Sequence, residues 1–192
     1  MPPRDPASAT TEEGKHALDP KELEVLVRSV VERLLPATGG AGRVALGADH
    51  GGYPLKELLK AKLAGSGFEP VDVGTHSTEA VDYPDFAVAV ARKVASGECR
   101  FGIMIDGAGI GSCMAANKIP GVRAALCYDL STASNAREHN DANVLTLGAG
   151  LVGPSLAEQI ALRFLVTECT EERHLRRVAK IDALDGAGAR TP

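Results

Sequence analysis

The chain has 192 residues, which suits one domain and argues against two full ones, and its 21 basic and 25 acidic side chains leave a net charge of −4. That balance, with 4% aromatic residues and no Trp, speaks against a nucleic-acid binder, for which a basic surface and stacking rings are needed. At 44% hydrophobic and 24% charged the chain can bury a core, yet no apolar run reaches the ~18 residues of a membrane span and the first residues lack a secretory signal's order, so a cytoplasmic protein without membrane partners is expected.

Residues 1–18 mix Pro, Ser, Thr, Glu and Lys without apolar periodicity and read as a flexible tail. Asp19 as N-cap, Pro20 in the first turn and Glu22 then open a helix, and Pro36 ends it. Within 19–35, Leu23, Leu26, Val27, Val30, Val31, Leu34 and Leu35 form a single apolar stripe. The Gly- and Pro-rich stretch 36–42 is a linker to a main domain over 43–185, and 186–192 is a second tail. Inside the main domain, β-branched and apolar runs predict strands at 43–48, 68–73, 101–105, 122–126 and 143–147. Helical patterns fall at 53–65, 83–97, 110–118, 130–138, 154–167 and 171–184. This alternation predicts an α/β fold, an open sheet of five parallel strands with helices on both faces. Such sheets bind ligands at the carboxyl ends of their strands, and the polar clusters are expected there.

Four clusters stand out. Gly47-Ala48-Asp49-His50-Gly51-Gly52 follows the first strand with an acid, an imidazole and glycines that admit a ligand to the backbone. Asp106-Gly107-Ala108-Gly109-Ile110-Gly111-Ser112 leads from the third strand into a helix, where backbone N–H groups hold an anion. Three alternating glycines there are too weak a signal for a dinucleotide, and no cofactor is expected. Arg137-Glu138-His139-Asn140-Asp141-Ala142-Asn143 is dense in polar types before the fifth strand. Arg173 and Arg177, four residues apart on one helical face, suit a phosphate. Cys99, Cys113, Cys127 and Cys169 are too scattered for a zinc cluster or a disulfide framework, and no metal is expected.

Taken together, the segments GADHGG, DYPDFA, GAGIG followed by AANK, GVRAALC, REHNDANVLTLG and RHLRRV resemble the type B ribose-5-phosphate isomerases and the related galactose-6-phosphate isomerases, in order and spacing, from about Arg43 to Ile181. The resemblance implies a Rossmann-like fold and a metal-free, cofactor-independent aldose–ketose isomerase. It also implies a homodimer or homotetramer whose active site is shared between subunits. By this likeness Asp49, His50 and Asn140 bind the sugar, His139 opens its ring, and Arg173 and Arg177 bind its phosphate.

Three departures bear on the chemistry. The family's usual proton-abstracting cysteine falls at Asp106, its Thr or Ser at Ala108, and an Arg at Gly150. A related subgroup has no such cysteine and places a Glu where this chain has Ser112. Asp106 is the remaining acid of the loop, and a carboxylate is an acceptable base that ionises without help near neutral pH. The expectation is that Asp106 shuttles the proton, that Gly107, Ala108, Gly109, Ile110 and Gly111 stabilise the developing charge, and that Cys113 points away into packing. Without an Arg at 150, Arg173 and Arg177, with Arg137, are left to hold the phosphate. The rival expectations are a sugar-phosphate-binding protein without turnover and an isomerase of a 6-phosphate hexose. The helix at 19–35 is similar to the encapsulation peptides that carry enzymes into bacterial microcompartments, which would make shell proteins its partners. Its balanced polar face argues against a membrane surface.

Overall fold

The computed structural model describes residues 42–185. The tail at 1–18, the helix at 19–35, the linker up to Ala41 and the tail at 186–192 lie outside the described residues. In chain order the elements are β1 (Arg43–Ala48), α1 (Tyr53–Gly65), β2 (Glu69–Gly74), α2 (Tyr83–Ala95), β3 (Phe101–Asp106), α3 (Ile110–Ala116), β4 (Ala124–Leu126), α4 (Leu130–Glu138), β5 (Val144–Gly148), α5 (Pro154–Val166) and α6 (Glu172–Asp182). No boundary differs from the sequence expectation by more than two residues. The shortening of β4 has a local cause: Asn143 Oδ1 accepts the Arg123 amide at 2.8 Å, a side chain standing in for a ladder carbonyl.

All strand pairs are parallel, in the order β2-β1-β3-β5-β4. Both faces of the inner strands are covered, which is why they read as unbroken apolar runs. Val44, Leu46, Phe101, Ile103, Ile105, Leu145 and Leu147 pack towards α1, α4 and α5, while Ala45, Met104 and Val144 pack towards α2 and α3. Gly102 and Gly47 let α2 settle close to the sheet, since a Cβ there would stand 2.5 and 2.7 Å from Val90. Helices α1, α2 and α5 each begin with a proline in the first turn, where its missing N–H costs nothing. The chain leaves β1 outward to β2 and returns past β1 to β3, so the crevice between β1 and β3 at their carboxyl ends is the topological switch point.

Candidate functional site

The crevice at the switch point is built from the loops that leave β1 and β3. Asp49 is buried, its amide donates to the Ile105 carbonyl at 3.0 Å, and its Oδ1 accepts the Gly52 amide at 2.8 Å. His50 beside it is exposed, and its Nδ1 accepts the Val81 amide at 3.2 Å, which ties the segment before α2 over the crevice. Gly52 serves the fold rather than a ligand: a Cβ there would lie 2.3 Å from the Ile105 carbonyl oxygen. The 72–75 turn on the other side is anchored by Lys56, a fully buried side chain overlooked in the sequence. Its Nζ reaches Asp72 Oδ1 at 2.6 Å and the Thr75 carbonyl at 2.7 Å. Burial pushes the Asp72 carboxyl up, but Lys56, Lys60 and the Gly74 amide outweigh it and hold it at about 2.

Asp106 closes β3 and is 4% exposed. Its Oδ1 accepts the Ala108 amide at 2.9 Å and the Gly109 amide, and its Oδ2 accepts the Ser112 amide at 3.2 Å and the Ser112 hydroxyl. Four donors thus meet a group with about four lone-pair positions. Of the five residues expected to face a developing charge, Ala108 and Gly109 spend their amides on Asp106, whereas Gly107, Ile110 and Gly111 are not among its donors. The wrap depends on Gly109, which takes φ +76°. The two places where the family resemblance puts a base, 106 and 112, are therefore in direct contact. Tyr83 of α2 covers the same loop: a Cβ at Gly111 would meet its ring at 2.5 Å. Cys113 turns aside as expected, its thiol 3.3 Å from the Ala124 carbonyl.

The other two clusters lie elsewhere, which corrects the expectation that all four gather at the carboxyl ends. His139 and Asn140 follow α4 and precede β5, and a helix-to-strand connection returns the chain to a strand's amino end. The Gly102 amide at the foot of β3 donates to Asn143 at 2.9 Å, whereas Asp106 pairs with Gly148 at the top. The four steps from Gly102 to Asp106 alone span about 13 Å. Around His139 a second polar cluster forms. Its ring stacks on His174 of α6, with centroids 4.2 Å apart and planes 17° from parallel. Arg173 and Arg177 are exposed on the same helix. A cleft of about 450 Å³ along the edge strand β4 is lined by Leu126, Thr132, Asn135 and Asn140.

Arg137, expected to help hold a phosphate, is instead engaged within the fold. It is 3% exposed, and its guanidinium donates to Thr167 at 3.0 Å, Ala142 at 2.8 Å and Asp141 at 2.6 Å while lying over Phe101. Together with Arg123, which reaches Asp141 Oδ2 at 3.0 Å and Asp182 at 2.8 Å, it clamps the turn after His139 and the end of α6. Asp141 holds a positive φ of 43° there. The signal for this clamp in the sequence was the Arg–Asp spacing of four at 137 and 141. Among the described residues no group of three or more His, Cys, Asp or Glu side chains is placed to hold a metal, and no helix is long and apolar enough to cross a membrane.

Comparison with known proteins matches residues 44–181 to the ribose/galactose isomerase family. Ribose-5-phosphate isomerase B of Escherichia coli is 43% identical over 143 residues, covering 74% of this chain and 96% of that one. Among solved structures, ribose-5-phosphate isomerase B of Clostridium thermocellum superposes with a TM-score of 0.74 at 48% identity, covering 76% of this chain and 98% of its own. The type B ribose 5-phosphate isomerase of Trypanosoma brucei gives 0.71 at 52% identity, covering 74% and 97%.

Proposed function

Because this chain belongs to the ribose/galactose isomerase family, we propose that it interconverts an aldose phosphate and its ketose isomer, ribose 5-phosphate and ribulose 5-phosphate, through an enediolate. The observation that carries this reading is the convergence of Asp49, His50 and the 106–112 loop on the crevice between β1 and β3. The reaction removes a weakly acidic proton beside a carbonyl and returns it to the neighbouring carbon, so it needs a base and groups that receive charge on oxygen. Asp106 is assigned the proton. Gly107, Ile110 and Gly111, whose amides Asp106 does not take, are assigned the oxygens, with Ala108 and Gly109 shaping the loop. To reach a substrate carbon, an Asp106 oxygen trades one of its loop donors for the sugar.

His139 opens the furanose, Asn140 binds the sugar, and Arg173 and Arg177 grip the phosphate. These four stand at the opposite end of the sheet from Asp106, so a complete site takes them from a second copy of the chain, in a homodimer or a tetramer of such pairs. With Gly150 in place of a third guanidinium the grip is loose, and a high KM is expected.

Asp106→Asn is the test: turnover of ribose 5-phosphate in a coupled assay falls by about 10²-fold or more while sugar-phosphate binding persists. Full activity in that variant rejects the assignment. A second reading, sugar-phosphate binding without turnover, is favoured by the four hydrogen bonds that already hold the Asp106 carboxylate. It requires a wild-type chain that binds ribose 5-phosphate and converts none. A hexose 6-phosphate substrate is separated from ribose 5-phosphate by running both in the same assay. For the apolar stripe at 19–35, docking to a microcompartment shell is proposed from its sequence pattern. A fluorescent protein carrying residues 1–42 that stays diffuse beside assembled shells rejects it.

A further inference from the structure

We infer that Asn135 is a positioning residue that fixes the tautomer of His139, so that this imidazole meets the sugar with its proton on Nε2. The inference rests on the reading of His139 as the ring-opening group, while the tautomer itself is a property of the protein alone.

Asn135 lies one helical turn before His139 on α4, and its Nδ2 stands 2.8 Å from His139 Nδ1. An amide nitrogen offers only protons, so Nδ1 accepts and the ring proton resides on Nε2. The orientation of the Asn135 amide is set by a different contact: Asn140 Nδ2 donates to Asn135 Oδ1 at 3.4 Å and to the Asn135 carbonyl at 3.2 Å. Flipping the amide would turn two NH₂ groups against each other. One side chain thereby orders both His139 and Asn140.

The plane of the ring is set by His174. That residue is 5% exposed and neither of its ring nitrogens has a hydrogen-bond partner, so it acts on His139 through its flat face. Burial, then the proximity of His139, Arg173 and Arg177, lowers its affinity for a proton against the opposing pull of Glu171. His139 is thus held at one edge by Asn135 and on one face by the His174 ring. A ring with its proton on Nδ1 would aim that proton at the Asn135 amide protons, so the geometry favours the Nε2 tautomer.

This orders the ring-opening step. The furanose ring oxygen takes the Nε2 proton as its bond to the anomeric carbon breaks, and the anomeric hydroxyl returns its proton to the same nitrogen as the carbonyl forms. The imidazole ends as it began. A neutral histidine acting as donor has a precedent in triosephosphate isomerase.

The test uses the full chain labelled with ¹⁵N at histidine, read by long-range ¹H–¹⁵N correlation. Wild-type His139 is expected to carry its proton on Nε2. Asn135→Asp, whose carboxylate only accepts, moves the proton to Nδ1. In the same variant kcat for ribose 5-phosphate falls about tenfold or more with KM changed less than about twofold, and the acidic limb of the pH profile moves to higher pH because a carboxylate favours the imidazolium. Asn135→Leu gives a mixture of tautomers. A wild-type His139 protonated on Nδ1, or an Asn135→Asp chain whose spectrum and pH profile match wild type, overturns the inference. If wild type fails to convert ribose 5-phosphate, the proposed function falls, and the nitrogen spectrum still decides the tautomer.

Discussion

Gly109 decides what Asp106 can do. Its φ of +76° lies where side chains are strained, and a Cβ there would stand 2.5 Å from Leu126 Cδ1 and 3.0 Å from the Leu147 backbone. Gly109→Ala is therefore expected to cost about 1–3 kcal/mol in denaturant unfolding and to pull the Gly109 amide off the Asp106 carboxylate. An acid at the mouth of the third strand was legible from the residue order alone. That the loop folds back and wraps the acid was not, because it depends on backbone dihedrals that only the packed neighbours Leu126 and Gly148 impose. Gly52 teaches the same lesson in reverse, as its lack of a side chain admits the β3 backbone and not a ligand.

At the level of elements, patterning was enough: β-branched and apolar runs and helical periodicity marked every boundary to within two residues. What periodicity hid was Lys56, a charged residue inside the buried stripe of α1 with Leu55, Leu59 and Leu63. It joins α1 to the end of β2 through Asp72 and Thr75. Lys56→Met should cost about 3 kcal/mol, since it leaves a buried carbonyl and a carboxylate short of a donor, and a lowered denaturation midpoint reports it. Asp72 also sets an acid limit. Its folded carboxyl sits at about 2 against a usual 3.8, so its contribution is complete above the usual value and is lost as pH falls from there towards 2. That loss is about 2 kcal/mol, and Asp72→Asn should flatten the stability-versus-pH curve across that window.

Over the whole molecule, the order of motifs along the chain concealed their separation in space. Asp49 follows a strand, Asp106 ends one and His139 precedes one, which puts them at opposite ends of the sheet. The rule that helix-to-strand turns lie at amino ends was available in the sequence. The general expectation that open α/β sheets bind ligands at the carboxyl ends of their strands masked it. A shared site predicts complementation. Asp106→Asn and His139→Asn chains, each inactive alone, should recover about a quarter of wild-type activity when refolded together, because half the dimers are mixed and each mixed dimer has one intact site. No recovery in verified mixed dimers would rule out sharing. The thiols carry a last consequence. Cys99 and Cys127 are buried, the latter pushed up to about 12 by burial, Cys113 rests against a carbonyl, and the loop's acid is oxygen-based. Peroxide or iodoacetamide doses that silence a sulfur-dependent isomerase should leave residual activity here near its starting level, letting sugar-phosphate flux continue through an oxidative burst.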